Sequence, residues 1–340
     1  MLGLHSLIRI EILFLLLAWA GSLCAQETLS LPQDQVTRDA VERAGEWLVR
    51  HVQTGSLVVD GREQAVSVIA WKDPTLSPEI PDCLAGYTIT DTLWASYALS
   101  LTHPNVAQKL RESLERLGCN SNSLHEVVWQ PLASIHHKPT GPDIVHGRSL
   151  GIMTLKDHSV GDPKSHMVTV DVRNFIMTED PAFTAGHPML FAEHAVYQSL
   201  FEFRKGQVDS ALGRLRRIFR PESSNDPNHI RWDTKHGVLT DFAGKSEYDN
   251  FLSGQTNFCR QYSFKLAVLL YGCRFMGLEQ EFPSEMERIH QRLQDAQLES
   301  GGLPHFFDIA GETNSTIRRS DATGEATAIF MLAETWTAKQ

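Results

Sequence analysis

Two kinds of helix alternate along this sequence, and that alternation limits the fold more than any other feature. One kind carries a single apolar stripe. In Val36–Val52, residues Ala40, Val41, Ala44, Trp47, Leu48 and Val52 recur at helical spacing, and Val106–Leu117, Val208–Phe219 and Ser284–Gln297 follow the same rule. The other kind is apolar over most of its surface: the helix beginning near Asp91 with Leu93, Trp94, Tyr97, Ala98 and Leu101, then Pro188–Arg204, Asn257–Gly277 and Ala322–Trp336. A helix buried all round needs neighbours on every side, whereas a striped helix needs them on one. The pattern predicts inner helices enclosed by outer ones.

Strand signals are few. Leu57–Val59 and Ala65–Trp71 flank Asp60-Gly61 and predict a hairpin. Residues 120–187 break the helical rhythm, and Ile144–Leu155 and Met167–Val172 predict a small β insertion there. Pro221–Gly254 is polar, rich in Asp, Asn and Gly, and predicts an irregular stretch.

Residues 5–25 have the form of an export signal. His5 and Arg9 precede the apolar run Ile10–Ala20, and small residues lead to Ala25. Cleavage there leaves 340 − 25 = 315 residues as one domain, 26–340, in a secreted or periplasmic protein. An N-terminal anchor or a lipid on Cys24 are the alternatives. No later segment has the length and apolarity of a membrane span, so no stable span is expected after signal removal. The net charge of −10 and pI of 5.8 leave no basic footprint for nucleic acid. Cys83, Cys119, Cys259 and Cys273 follow the signal without C-x-x-C spacing. Cys259 and Cys273 share one predicted helix, and Cys83–Cys119 is the near pairing.

The ends of the chain share a phrase. An amphipathic helix over Ala40–Val52, a Gln53-Thr54-Gly55 turn and an apolar helix from Asp91 form one copy. A helix over Arg288–Gln297, a Gly301-Gly302 turn and an apolar helix from Asp321 form the other. These residues resemble the repeats of α/α-toroid proteins, notably the terpenoid cyclase and protein prenyltransferase group, and are similar to phrases in six-hairpin glycosidases and toroid polysaccharide lyases. The resemblance implies an all-α fold, an α/α toroid-like array of helical hairpins, with its cavity at the N-termini of the inner helices. The D-x-D-D and D-D-x-x-D motifs of terpenoid cyclases and synthases are absent, and prenyltransferase zinc ligands cannot be placed.

Helix N-termini favour carboxylates and anionic ligands. Asp91 and Asp321 open apolar helices, and such a pair suits the acid and base of glycoside cleavage. Simple helix capping explains the same residues. Glu325 projects from an apolar segment, either into the cavity or towards Arg318 or Arg319. Glu193, His194, Arg260 and Gln261 sit in apolar helices, where a polar group needs a partner or a cavity. A loop set of Trp232, Asp233, His236, Asp241, Tyr248 and Asp249, with His305 and Asp308, offers bases for a lyase. Trp71, Tyr87, Trp94 and Trp232 are candidates for stacking on sugar rings or for ordinary packing.

The expected catalytic residues are therefore Asp91, Asp321, Glu325 and His305, and the expected substrate contacts are Trp94, Glu193, His194, Trp232, His236, Tyr248 and Arg260. His136, His137, His146, His158 and His166 cluster in the insertion without a fixed metal-ligand spacing, so no metal is expected. Asn314-Ser315-Thr316 is a glycosylation sequon. There is no phosphate loop or dinucleotide fingerprint, so no cofactor is expected. Together these features predict an exported glycoside hydrolase or polysaccharide lyase acting on a polysaccharide or oligosaccharide. The alternative is a non-catalytic toroid that binds an apolar ligand or a protein.

Overall fold

The computed structural model describes residues 28–59, 62–69, 87–116, 144–148, 152–153, 174–178, 192–204, 206–220, 230–241, 244–311 and 315–337. The export signal, Trp71, Cys83, Cys119, Met167–Val172, most of the histidine cluster and Asn314 of the sequon lie outside them.

The described residues begin with β1 (Thr28–Leu29) and helix α1 (Gln35–Arg50), whose first turn is capped by Asp34 accepting from the Thr37 N–H at 2.8 Å. The hairpin β2 (Val52–Val59) and β3 (Arg62–Ile69) follows, then β4 (Tyr87–Thr88), α2 (Ile89–Ala98) and α3 (Pro104–Arg116). Two side chains anchor the hairpin: Ser113 Oγ accepts from the Ser67 N–H, and Thr92 Oγ1 from the Ile69 N–H. Short strands β5 (Ile144–Arg148), β6 (Ile152–Met153) and β7 (Asn174–Thr178) precede α4 (Ala192–Arg204) and α5 (Val208–Phe219).

Next come β8 (Arg231–Asp233), β9 (Val238–Thr240), α6 (Lys245–Leu252), β10 (Phe258–Tyr262) and α7 (Ser263–Phe275). The chain finishes with α8 (Pro283–Ala296), β11 (Phe306–Ala310), β12 (Thr316–Arg319), α9 (Gly324–Thr335) and β13 (Trp336–Thr337).

Among the described residues, four apolar helices form the interior. Helix α9 packs against α2 and α7, and α7 packs against α4. Leu266–Cys273 of α7 and Ala326–Ala333 of α9 are buried without a break, as helices with neighbours on every side must be. Each interior helix is backed by a striped one: α3 on α2, α1 on α9, α8 on α7 and α5 on α4. The stripes are regular, as in α1, where Ala40, Val41, Ala44, Trp47 and Leu48 are buried.

The all-α, toroid-like expectation is corrected by the strands. Antiparallel pairing recurs along the chain, in the hairpin β2–β3, the pair β8–β9 and a three-stranded sheet ordered β10–β11–β12. The fold is mixed, with interior helices and small antiparallel sheets, and a toroid is not shown. The largest local correction is at Phe258–Tyr262, expected to begin a helix. Burial alternates residue by residue there, and the segment pairs with β11 in the register Arg260↔Asp308. Cys259 therefore lies on a strand and Cys273 on α7, both buried free thiols. The stretch Pro221–Gly254, expected to be irregular, holds β8, β9 and all of α6.

The two repeat copies also differ. Gln53, Thr54 and Gly55 continue in strand β2 rather than forming a turn. In the second copy the turn forms and locks onto α1. Gln297 donates to the carbonyls of Ala40 at 2.9 Å and Gly301 at 2.8 Å, and accepts from Arg43 at 2.7 Å. Gly301 has φ +96°, and a Cβ on it would lie 2.2 Å from the Arg43 carbonyl oxygen. A Cβ on Gly302 would lie 2.7 Å from the Trp47 ring, so both glycines are needed for α1 to sit this close.

Candidate functional site

The first turns of the four interior helices meet at one end of the molecule. Each contributes a polar side chain: Asp91 from α2, Glu193 from α4, Lys265 from α7 and Glu325 from α9. Asp91 is buried, with Trp94 one turn on, and Trp94 stacks on Tyr197 of α4 at 6.2 Å between ring centroids. The Tyr197 hydroxyl donates to Glu325 Oε1 at 3.3 Å. Lys265 Nζ lies 2.5 Å from Asp241 Oδ2 and 3.4 Å from Glu193 Oε2.

The electrostatics follow from burial and like charge. Burial, with Asp91 and then Glu193 as negative neighbours, pushes the Glu325 carboxyl up to about 8. The helix N-terminus and the Tyr197 hydroxyl favour the charged form but do not outweigh this. Burial also raises Glu193, with the Lys265 ammonium opposing it. Tyr197 is held well above its ordinary value, first by burial and then by Glu325 and Glu193. Glu325 thus holds its proton to higher pH than an ordinary carboxyl group, beside further carboxyl groups.

An aromatic shelf adjoins the acidic floor. The Lys265 ammonium lies 5.2 Å from the Tyr262 ring centroid and 5.9 Å from that of Phe264. His305 stacks on Phe264 at 5.8 Å and meets the Tyr262 edge at 5.5 Å. Arg260 lies 4.1 Å above the Phe306 ring and bonds Asp308 at 3.0 Å, with Glu247 at 4.0 Å. Tyr262, Phe264, His305 and Phe306 are all half-buried.

Among the expected residues, Asp91, Trp94, Glu193 and Glu325 come together, and His305 and Arg260 sit on the shelf. Asp321 does not join them. It is exposed, one turn before Glu325, and its carbonyl accepts from the His305 N–H at 2.9 Å. Trp232, His236 and Tyr248 form a separate group around Asp233. His236 Nδ1 and the Tyr248 hydroxyl lie 2.5 Å and 2.8 Å from Asp233 Oδ2, and Trp232 is core. His194 is on α4, and its side chain lies outside the described residues. Glu325 faces Tyr197, whereas Arg319 bonds the Asp295 carbonyl, and the Arg318 side chain lies outside the described residues.

Lys265, Asp241 as its partner, and Tyr197 were not expected at this site. A charge inside the expected apolar helix Asn257–Gly277 is the available signal for Lys265; Tyr197 gives none. Among the described residues, no group of three His, Cys, Asp or Glu side chains is placed to hold a metal ion. Among them, too, no helix is long and apolar enough to cross a membrane. No protein family, curated protein or solved structure was found that matches this chain.

Proposed function

We propose that the chain is an exported glycoside hydrolase acting on an oligosaccharide or polysaccharide, with Glu325 as its general acid. The observation that carries this reading is geometric: the first turns of α2, α4 and α9 gather the carboxyl groups of Asp91, Glu193 and Glu325, and burial with these neighbours pushes Glu325 up to about 8. Glycoside cleavage needs one protonated and one ionised carboxyl group. Glu325 would give its proton to the leaving glycosidic oxygen as the C–O bond breaks. An ionised neighbour would take a proton from the attacking water, or attack the sugar itself. The half-buried rings of Tyr262, Phe264 and Phe306 supply stacking surface for a sugar. Export rests on the signal-like residues 5–25.

Two other readings are less well supported. A lyase would need a strong base, and burial makes the Tyr197 phenol a poor one. An apolar ligand would have to cover several carboxyl groups.

The test is release of reducing sugar from a panel of polysaccharides and activated aryl glycosides. Glu325→Gln is expected to lower kcat on natural linkages about 100-fold or more. The same variant should keep most activity on nitrophenyl glycosides, whose leaving group needs no proton. Activity of the wild type should fall as pH rises through about 8, the range in which Glu325 loses its proton. Equal losses on both substrate types, or no hydrolysis of any glycoside, would contradict the assignment.

A further inference from the structure

The floor of the site contains a second arrangement, built around Glu193 and resting on the reading of Glu325 as the acid. Asp241, just beyond β9, reaches two backbone groups. Its Oδ2 accepts from the Ala192 N–H at 3.1 Å, and its Oδ1 from the Gly244 N–H at 3.2 Å. Ala192 is the first residue of α4 and directly precedes Glu193. The same Oδ2 takes the Lys265 ammonium at 2.5 Å, and that ammonium lies 3.4 Å from Glu193 Oε2. Asp241 and Lys265 are 4% and 6% exposed, so water screens neither of them well. Asp241 thus holds the backbone of the residue before Glu193, and the Lys265 ammonium stands beside the Glu193 carboxylate as its ion-pair partner.

We propose that Lys265 and Asp241 form a positioning pair that fixes Glu193 as the ionised carboxylate of the site, the partner of a protonated Glu325. The groups facing Glu193 divide clearly. Lys265 from α7 is the cation. Asp241, Glu325 from α9 and Tyr197 on its own helix are neutral or negative, and Asp91 from α2 lies beyond Glu325 as that residue's own neighbour. Burial pushes the Glu193 carboxyl up, Lys265 opposes that most strongly, and Asp241 adds to the push. Removing the ammonium leaves Glu193 and Asp241 as buried neighbours of like charge, and Glu193 is the one without two backbone N–H donors holding its ionised form. It would take up a proton. The site would then hold two acids and lose its base.

Infrared spectroscopy of the full chain, carrying carboxyl-¹³C glutamate, tests this without a substrate, since aspartate bands stay unshifted. At pH 7 the wild type should show one buried protonated glutamic acid band, lost in Glu325→Gln. Lys265→Met should add a second band, absent from the Lys265→Met/Glu193→Gln double variant, while Lys265→Arg should keep the wild-type spectrum. An unchanged spectrum in Lys265→Met, or a second band that survives Glu193→Gln, overturns the pair. If Lys265→Met does not fold, carboxyl-carbon NMR of the wild type decides, with the Glu193 signal identified by its loss in Glu193→Gln. Glu193 must titrate below Glu325, and the reverse order overturns the proposal. A wild-type band that persists in Glu325→Gln would instead sink the general-acid reading, and the Lys265→Met comparison would still decide the role of Lys265 and Asp241.

Discussion

Helix α9 carries a glutamate near each end, Glu334 buried and Glu325 half-buried, and the two are treated in opposite ways. Glu325 and Glu334 are 334 − 325 = 9 positions apart, about 14 Å along the axis. Glu334 sits at the C-terminal end, where the helix dipole disfavours a negative charge. Yet Arg274 Nη1 lies 2.9 Å from one of its oxygens and His290 Nδ1 2.8 Å from the other. Burial raises its carboxyl, but His290 and Arg274 outweigh this and hold it below the ordinary range. Glu325 sits at the favourable N-terminal end and is nevertheless pushed up to about 8, first by burial and then by the neighbouring Asp91 and Glu193. A carboxylate matched with cations is the solution for stability. A carboxyl group kept protonated among other carboxyl groups has a cost, and function is the reason to keep it.

That contrast can be broken most forcefully at Arg274. Its guanidinium also reaches the Ala333 carbonyl, so Arg274→Met should cost about 3 kcal/mol by leaving Glu334 half-matched in the core. A urea melt with an unchanged slope would measure this, and a loss below about 1 kcal/mol would show that the triad is not a stabilising network.

Glu325→Gln should do the reverse. A carboxyl group whose folded value lies above its unfolded one makes the folded state bind more protons, so stability falls as pH rises from about 4.5 to about 8. The variant should therefore match the wild type near pH 4 and exceed it by about 1 kcal/mol or more at pH 8. Thermal melts across that range would show the two curves diverging, and parallel curves would refute the buried-acid account.

The smallest effect is expected at His290. Its partner Glu334 raises it above the ordinary value, so its contribution is complete below about 6.5 and fades as pH rises through the raised value. Glu334, being lowered, contributes above about 4.5 and fails as pH falls below its folded value. His290→Ala should thus cost about 1 kcal/mol near pH 5.5 and less at pH 9, because Arg274 still holds Glu334. A loss that grows towards pH 9 would be incompatible with this arrangement.

The helical skeleton was largely readable from residue order, because apolar spacing acts locally. The stripe predicted over Val208–Phe219 has the same bounds in the structure, and α8 and α9 shift by one or two residues. The strands near the site were not readable. Phe258–Tyr262 runs straight into an apolar helix, and its period-two burial appears only once Phe306–Ala310, over 40 positions on, pairs with it. The site was half readable for the same reason. Glu325 and Glu193 stand out as charges on apolar helices. Asp241 and Lys265 matter through a contact spanning 24 positions, and Tyr197 looks like any core aromatic until it meets Glu325. Trp232 has the opposite history: an aromatic in a polar stretch, expected to touch substrate, is packed in the core.

The protonation state of Glu325 is the claim on which the rest depends. A carboxyl-carbon NMR titration of the full chain, with the Glu325 resonance identified by its loss in Glu325→Gln, measures it directly. The account predicts a midpoint near 8, coupled to titration of the neighbouring carboxyl groups. A midpoint near 4.5, where an ordinary glutamate titrates, would contradict it and remove the basis for an acid catalyst at this site.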